Sequence, residues 1–505
     1  MHPLAPCAIL PAMGRDIAAR TYTREQRQRY REKVQRCLDV FEQMLSAHSF
    51  EFDEPLVGME IELNLVDADQ RPAMDNADVL AAIADPEYQT ELGRFNIEFN
   101  VPPGRLSGAA LADQEQALRA SMNAAEQRSS EVGTHIVMTG ILPTVTMETF
   151  QGAWMSDNVR YAAINDAVLA ARGEDISIDI EGTTGETLTC YIDSVAPEAA
   201  CTSMQLHLQV RPEEFANHWN AAQVLAGPQL ALAANSPFLM GSRLWAETRI
   251  VLFAQATDTR PIEYANQGVR PRVWFGERWI TSIFDLFEEN ARWFPALLPE
   301  LDDEDPQQVL DAGGAPQLSE MRLHNGTIYR WNRPIYDVAG GQPHLRLENR
   351  VLPAGPSVVD TLANAAFYYG TLRMLAFEDR PVWSRMAFST AHANFLEGAR
   401  QGVDADLFWP GVGELPASEL ILRHLLPLAH EGLDAWGVDP AVRDRLLGVV
   451  EGRCKTGMNG AEWQANAVQR FEAAGMSRPE ALRRMVAAYA ECMHANRPVH
   501  TWELP

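Results

Sequence analysis

The chain is expected to fold as an α+β protein, a mostly antiparallel sheet with helices around and after it. Four segments far apart in sequence each alternate apolar and polar residues with the period of a half-buried strand. Beyond Val358 that alternation gives way to helical spacing, which persists to Val499. The apolar fraction of 46% is ordinary for a globular chain, and no run is long and apolar enough to suggest a membrane span.

Residues 1–20 are expected to form a flexible N-terminus. A helix follows over 23–47, opened by a capping box from Thr23 to Gln26 and striped by Tyr30, Val34, Cys37, Leu38, Phe41, Met44 and Leu45. Val57–Val66 alternates strictly, with Met59, Ile61, Leu63 and Leu65 on one face and Glu60, Glu62 and Asn64 on the other. A short helix is predicted near 77–84, then a strand over 95–101 that Pro102-Pro103 should stop. Further helices are predicted over 108–132, 158–172 and 213–234, and strands over 135–143, 204–210, 249–256 and 344–351. The polar, aromatic stretch 327–338 leads into the last of these. Trp409-Pro410-Gly411-Val412-Gly413 is the nearest approach to a boundary, giving a main domain over 21–408 and a helical extension over 409–505.

A net charge of −26 argues against nucleic acid and against an anionic membrane surface as partners. Lys33 and Lys455 are the only lysines, so no phosphate-loop lysine and almost no Schiff-base candidate exists. Six cysteines lie scattered without Cys-x-x-Cys spacing, which favours reduced thiols over a disulfide framework or zinc site. The first residues lack the basic start and apolar core of a signal peptide, so a cytoplasmic location is expected.

The polar faces of the four strands carry the chemistry. Glu60 and Glu62 stand roughly 7 Å apart on one face, an unfavourable pairing unless something positive lies beside them. Glu98 sits between Asn96 and Asn100, and His207 between Gln205 and Gln209. His344, Arg346, Glu348 and Arg350 share a fourth face. Any one of these alone reads as an outer sheet face or a satisfied core histidine. Together they suggest a pit of oxygen ligands with one imidazole, which suits Mg²⁺ or Mn²⁺ better than Zn²⁺. Neighbouring arginines suit phosphate oxygens. Arg249 and Arg333 carry less weight, since a salt bridge explains either. No Gly-x-Ser-x-Gly elbow occurs, and His430-Glu431 lacks the second histidine of a zinc helix.

These segments resemble those of the type-2 glutamate–cysteine ligase family, carboxylate–amine ligases of the glutamine synthetase superfamily. Gly58-Met59-Glu60-Ile61-Glu62-Leu63 is similar to its Gly-x-Glu-x-Glu strand, and Asn96–Asn100 to its next carboxylate strand. Gln205–Val210 resembles its histidine strand, without the second histidine of the common His-x-His form. Ala234-Asn235-Ser236-Pro237, Arg333-Pro334, Glu348-Asn349-Arg350 and Asn394 with Arg400-Gln401-Gly402 follow in the same order. The resemblance implies a curved antiparallel sheet forming a catalytic funnel, entered by ATP at one end and an amino acid at the other, with several Mg²⁺ ions. It implies that Glu60 and Glu348 ligate metal on the nucleotide side and that Glu62, Glu98 and His207 complete the cluster. Arg350 would stabilise the transferring phosphoryl group, and Arg333 would grip the acid substrate or a phosphate. Arg346, Arg249 and Asn349 are expected at the nucleotide. The activity so implied is ATP-dependent γ-glutamyl amide formation through an acyl phosphate, with cysteine the leading amine. Another acid or amine, a metal-dependent hydrolase and a non-catalytic scaffold are the alternatives. Partners are then small amino acids, and a homo-oligomer is compatible with all of this.

Overall fold

The computed structural model describes residues 21–47, 50 and 52–505; the expected flexible segment 1–20 lies outside the described residues. Its centre is one curled, wholly antiparallel sheet. The strands are β1 (Leu56–Val66), β2 (Tyr88–Thr90), β3 (Asn96–Arg105), β4 (His135–Val137), β5 (Met204–Gln209), β6 (Asn332–Ala339) and β7 (Gln342–Asn349). Their order is β6-β7-β5-β1-β3-β2, with β4 pairing the far end of β1. The α+β class and the antiparallel sheet are as expected.

Alternation decides the sheet's two sides. Met59, Ile61, Leu63 and Leu65 are fully buried against helices. The helices Pro212–Ala233 and Val358–Ala376, both buried along nearly their whole length, form the layer behind. The Tyr369 hydroxyl of the second helix lies 3.0 Å from the His207 carbonyl and 3.2 Å from the Gly58 carbonyl, tying that helix to adjacent strands. Helices cross closely where glycines meet. A Cβ on Gly227 would stand 2.6 Å from the Asn394 carbonyl oxygen of helix Phe388–Gln401. The Thr23–Gln26 capping box is present at the head of helix Arg24–Ser46.

Three local expectations need correction. Residues 249–256 form part of a helix, Thr248–Ala256, not a strand. Its buried Ile250, Phe253 and Ala256 recur every three residues, which a helix buries and a strand would scatter over both faces. Only 135–137 of the predicted 135–143 strand pairs in the sheet; beyond it Thr139 donates its hydroxyl to the Asn235 carbonyl at 3.0 Å. Pro102-Pro103 does not stop β3, because the register of β1 against β3 shifts there, between Val57 and Met59, and the ladder resumes to Arg105.

Trp409–Gly413 is the turn of a hairpin between strands 406–409 and 413–416. The residues beyond it are helical, as predicted, over Leu426–Ala435, Pro440–Thr456, Gly460–Ala473 and Arg478–His494. They share one continuous hydrophobic core with the sheet-bearing part. Trp463, Tyr489 and Trp502 meet edge to face, and the Tyr489 hydroxyl hydrogen-bonds to Met138 O at 2.9 Å. Arg453 is wholly buried against Asp360 of the 358–376 helix, at 2.7 Å, and also donates to Asn364.

Removing Asp360 would leave Arg453 as an uncompensated buried charge. Asp360→Ala is therefore expected to cost about 3–5 kcal/mol in urea unfolding. A loss below about 1 kcal/mol would show the pair to be dispensable.

Candidate active site

Register brings the polar faces together. Glu348 of β7 lies opposite His207 of β5, which lies opposite Gly58 of β1; one step along, Glu60 faces Gln205 and Asn100, and Glu62 faces Glu98. Of these, Glu60, Glu62, Glu98 and Glu348 open onto a cavity of about 750 Å³, well inside the range of small-molecule sites.

The expected metal ligands separate into two groups. Glu60, His207 and Glu348 bring ligand atoms within 4.8 Å of one another; so do Glu62, Glu98 and Glu91. His207 Nε2 stands 3.0 Å from Glu60 Oε1 and 4.0 Å from Glu348 Oε1. Glu91 was not legible in the sequence. It follows β2, a three-residue strand too short to show alternation.

The cationic rim is equally defined. Arg333 grips Glu348 with two N–H groups, one of them Nη2 at 2.9 Å from Oε1. Arg350 Nη1 donates to Gln205 Oε1 and lies 3.5 Å from Glu348 Oε1. Gln205 in turn donates to Glu62 Oε1 at 3.0 Å, linking the two groups. Arg346 lies 3.0 Å from Asp337 and 3.3 Å from His207 Nδ1, and Asp337 also pairs with Arg322. Arg322 and Asp337 line the cavity and were not singled out in the sequence.

Two expected nucleotide residues do not reach the cavity. Asn349 alternates onto the opposite face, where its amide donates to Asn332 and Gln229. Arg249, carried on the helix that replaces the predicted strand, pairs with Glu247 at 3.0 Å and donates to the carbonyls of Arg350 and Val351. It braces the backbone just beyond β7, near enough that its charge helps to lower Glu62.

Electrostatics sharpen the division. Burial raises the Glu348 carboxyl, but Arg333, Arg350 and His207 outweigh it and hold it down to about 2. Glu62 goes the other way: burial, then Glu91, pushes it up to about 7 against the pull of Arg350. Glu98 is driven well above the usual range by burial and by Glu60, Glu91 and Glu62. Glu60 Oε2 and Glu98 Oε2 are buried and have no hydrogen-bond partner among the described residues. Orphaned oxygens among mutually repelling carboxylates fit divalent cations with oxygen ligands, which would supply both the missing contacts and the missing charge.

The chain belongs to glutamate–cysteine ligase family 2, whose model matches residues 56–487, and it is accordingly an ATP-dependent carboxylate–amine ligase. No curated protein matched it. Among solved structures, it is similar to glutamate–cysteine ligase from Francisella tularensis in complex with AMP, at 12% identity and a TM-score of 0.49, covering 90% of this chain and 91% of that one. A bifunctional glutathione synthetase from Pasteurella multocida gives 12% identity and a TM-score of 0.46, covering 90% of this chain and 54% of that one. The ligase PafA, in complex with the ubiquitin-like protein Pup, gives 9% identity and a TM-score of 0.37, covering 87% and 72%. No helix among the described residues is long and apolar enough to cross a membrane.

A carboxyl whose native pKa exceeds its unfolded value of about 4.3 holds a proton that the unfolded chain releases, so stability falls as pH rises between the two. With chelator present, the melting temperature should drop by several degrees between about pH 5.5 and about pH 8. Millimolar Mg²⁺ or Mn²⁺ should restore it at the higher pH. Glu98→Gln should melt higher than the parent in chelator and lose most of the response to the ions. A flat pH profile with no ion response would show that the carboxylates are neutralised from within the protein.

Proposed function

We propose that the protein joins the γ-carboxylate of glutamate to an amine, with cysteine the leading acceptor, through an acyl phosphate formed at the expense of ATP. The lining of the cavity carries this reading. Arg322, Arg333, Arg346 and Arg350 line it together with Glu62, Glu91 and Glu98. A triphosphate suits the arginines, and cations the carboxylates.

In this reading Glu60, His207 and Glu348 hold one Mg²⁺, and Glu62, Glu91 and Glu98 another. Bound there, the ions offset the repulsion between ATP and the incoming carboxylate. Arg350 sits between the two carboxylate groups and faces the charge that spreads over the transferring phosphoryl oxygens. Arg333 keeps Glu348 ionised and oriented while presenting its own charge to the cavity. Arg346 meets the phosphates from the β7 side, with Asp337 fixing its position. The substrate carboxylate attacks the γ-phosphorus and ADP leaves. The amine then attacks the acyl carbon and phosphate leaves. No side-chain nucleophile is needed, and water must be kept from the acyl phosphate.

ADP release with Mg²⁺ should be measured across glutamate, aspartate and other acids, each paired with L-cysteine, L-2-aminobutyrate, glycine or ammonium. The expected result is ADP stoichiometric with amide from glutamate and one preferred amine. No ADP from any pair would sink the ligation, and ADP-independent hydrolysis of the amides would favour a metal-dependent hydrolase. Arg350→Ala should lower kcat about 10³-fold or more with the melting curve retained. Glu98→Gln should abolish turnover without unfolding, whereas near-normal activity would remove the second carboxylate group from the reaction.

A further inference from the structure

Glu198 lines the cavity yet belongs to neither ligand group. It stands on the single helical turn Ala196–Ala199, just before β5. Arg160, Ile164, Val195, Thr257 and the rings of Tyr161 and Tyr329 line the cavity with it, and the charge of Arg160 bears on both tyrosines. Its carboxylate accepts no hydrogen bond from the described residues. The charges that bear on it are Glu91 and Glu62, with Arg350 opposing; Tyr161, Tyr329 and Cys201 feel its charge in return.

A carboxylate that lines a ligase cavity outside both ligand groups has chemistry to offer one reactant above all. The acceptor amine arrives as an ammonium ion, with positive charge and N–H donors but no free electron pair. It must bind near the carboxylates and must lose a proton before it can attack. Burial, the largest cause, raises the Glu198 carboxyl above its usual range, towards that of a base that takes a proton from an amine near neutral pH.

We propose that Glu198 receives the acceptor's ammonium group and takes its proton as the nitrogen attacks the acyl phosphate. The proposal rests on the ligase reading above and adds the group that handles the second substrate. One N–H proton passes to the Glu198 carboxylate, and the freed electron pair forms the C–N bond. The C–O bond to phosphate breaks with its electrons going to phosphate, which carries off the second nitrogen proton and leaves a neutral amide.

Hydroxylamine separates the two half-reactions, because it is uncharged near neutral pH and traps an acyl phosphate without needing a base. Wild type and Glu198→Gln should be compared for hydroxamate formation from L-glutamate, ATP, Mg²⁺ and hydroxylamine. Amide formation should be followed in parallel with the most active of the four amines above. Glu198→Gln should keep hydroxamate formation within about threefold of wild type, and its kcat for the amide should fall about 100-fold or more. The loss should shrink towards about pH 9, where more of the amine is already unprotonated, and Glu198→Asp should recover part of it. Amide formation within about threefold of wild type would overturn the proposal. So would loss of hydroxamate and amide together, since Glu198 would then serve acid or metal binding. Failure of wild type to make any hydroxamate would instead sink the ligase reading itself.

Discussion

Buried like charges on one sheet face are the constraint around which this structure is organised. Glu60, Glu62, Glu98 and Glu348 are all taken out of water and held within a few residue spacings of one another. Each would be expelled from an ordinary core. They stay because the strands leave them no alternative: the opposite faces carry the apolar residues that hold the sheet to its helices, and slipping any strand by one residue would drown those instead. Hydrophobic packing behind the sheet thus sustains electrostatic tension in front of it. Arg333 and Arg350 relieve that tension at Glu348 and leave it standing at Glu62 and Glu98.

That uneven relief leaves the carboxylates of one cavity in unlike states. Glu348 is paired and oriented before any substrate arrives. Glu62 and Glu98 are left short of positive charge. Ligation of two anionic reactants followed by attack of a cationic one needs such a difference, because the phosphates, the cations and the ammonium then sort themselves within a single cavity. Glu198 adds one more carboxylate to that lining, outside the ligand groups and with Arg160, Tyr161 and Tyr329 lining the same cavity.

The strands were readable because their period of two is rigid and each polar face is dense with ligand-type residues. Glu60, Glu62, Glu98, His207, Glu348 and the arginines at 333, 346 and 350 could be placed on one face from alternation together with family pattern. Residues contributed by short or irregular pieces could not. Glu91 follows a three-residue strand, Glu198 rides one helical turn, and Asp337 lies in a stretch with no clean period. Asn349 misses the cavity for a different reason: a side chain on the right strand still points elsewhere when its own backbone turns it to the other face. Asn349 differs from Glu348 by a single residue, which on a strand is the difference between cavity and core.

The Tyr369 hydroxyl reaches through the helical layer to the backbone beside His207 and Gly58. Its helix is the one against which Arg453 and the later helices pack. The floor of the active site is therefore joined to the far end of the chain through a helix that offers a phenol to the sheet on one side and a buried carboxylate to Arg453 on the other. Inherited changes in the last hundred or so residues, remote from every reacting atom, would be felt as faulty alignment of the imidazole rather than as trimming of an appendage.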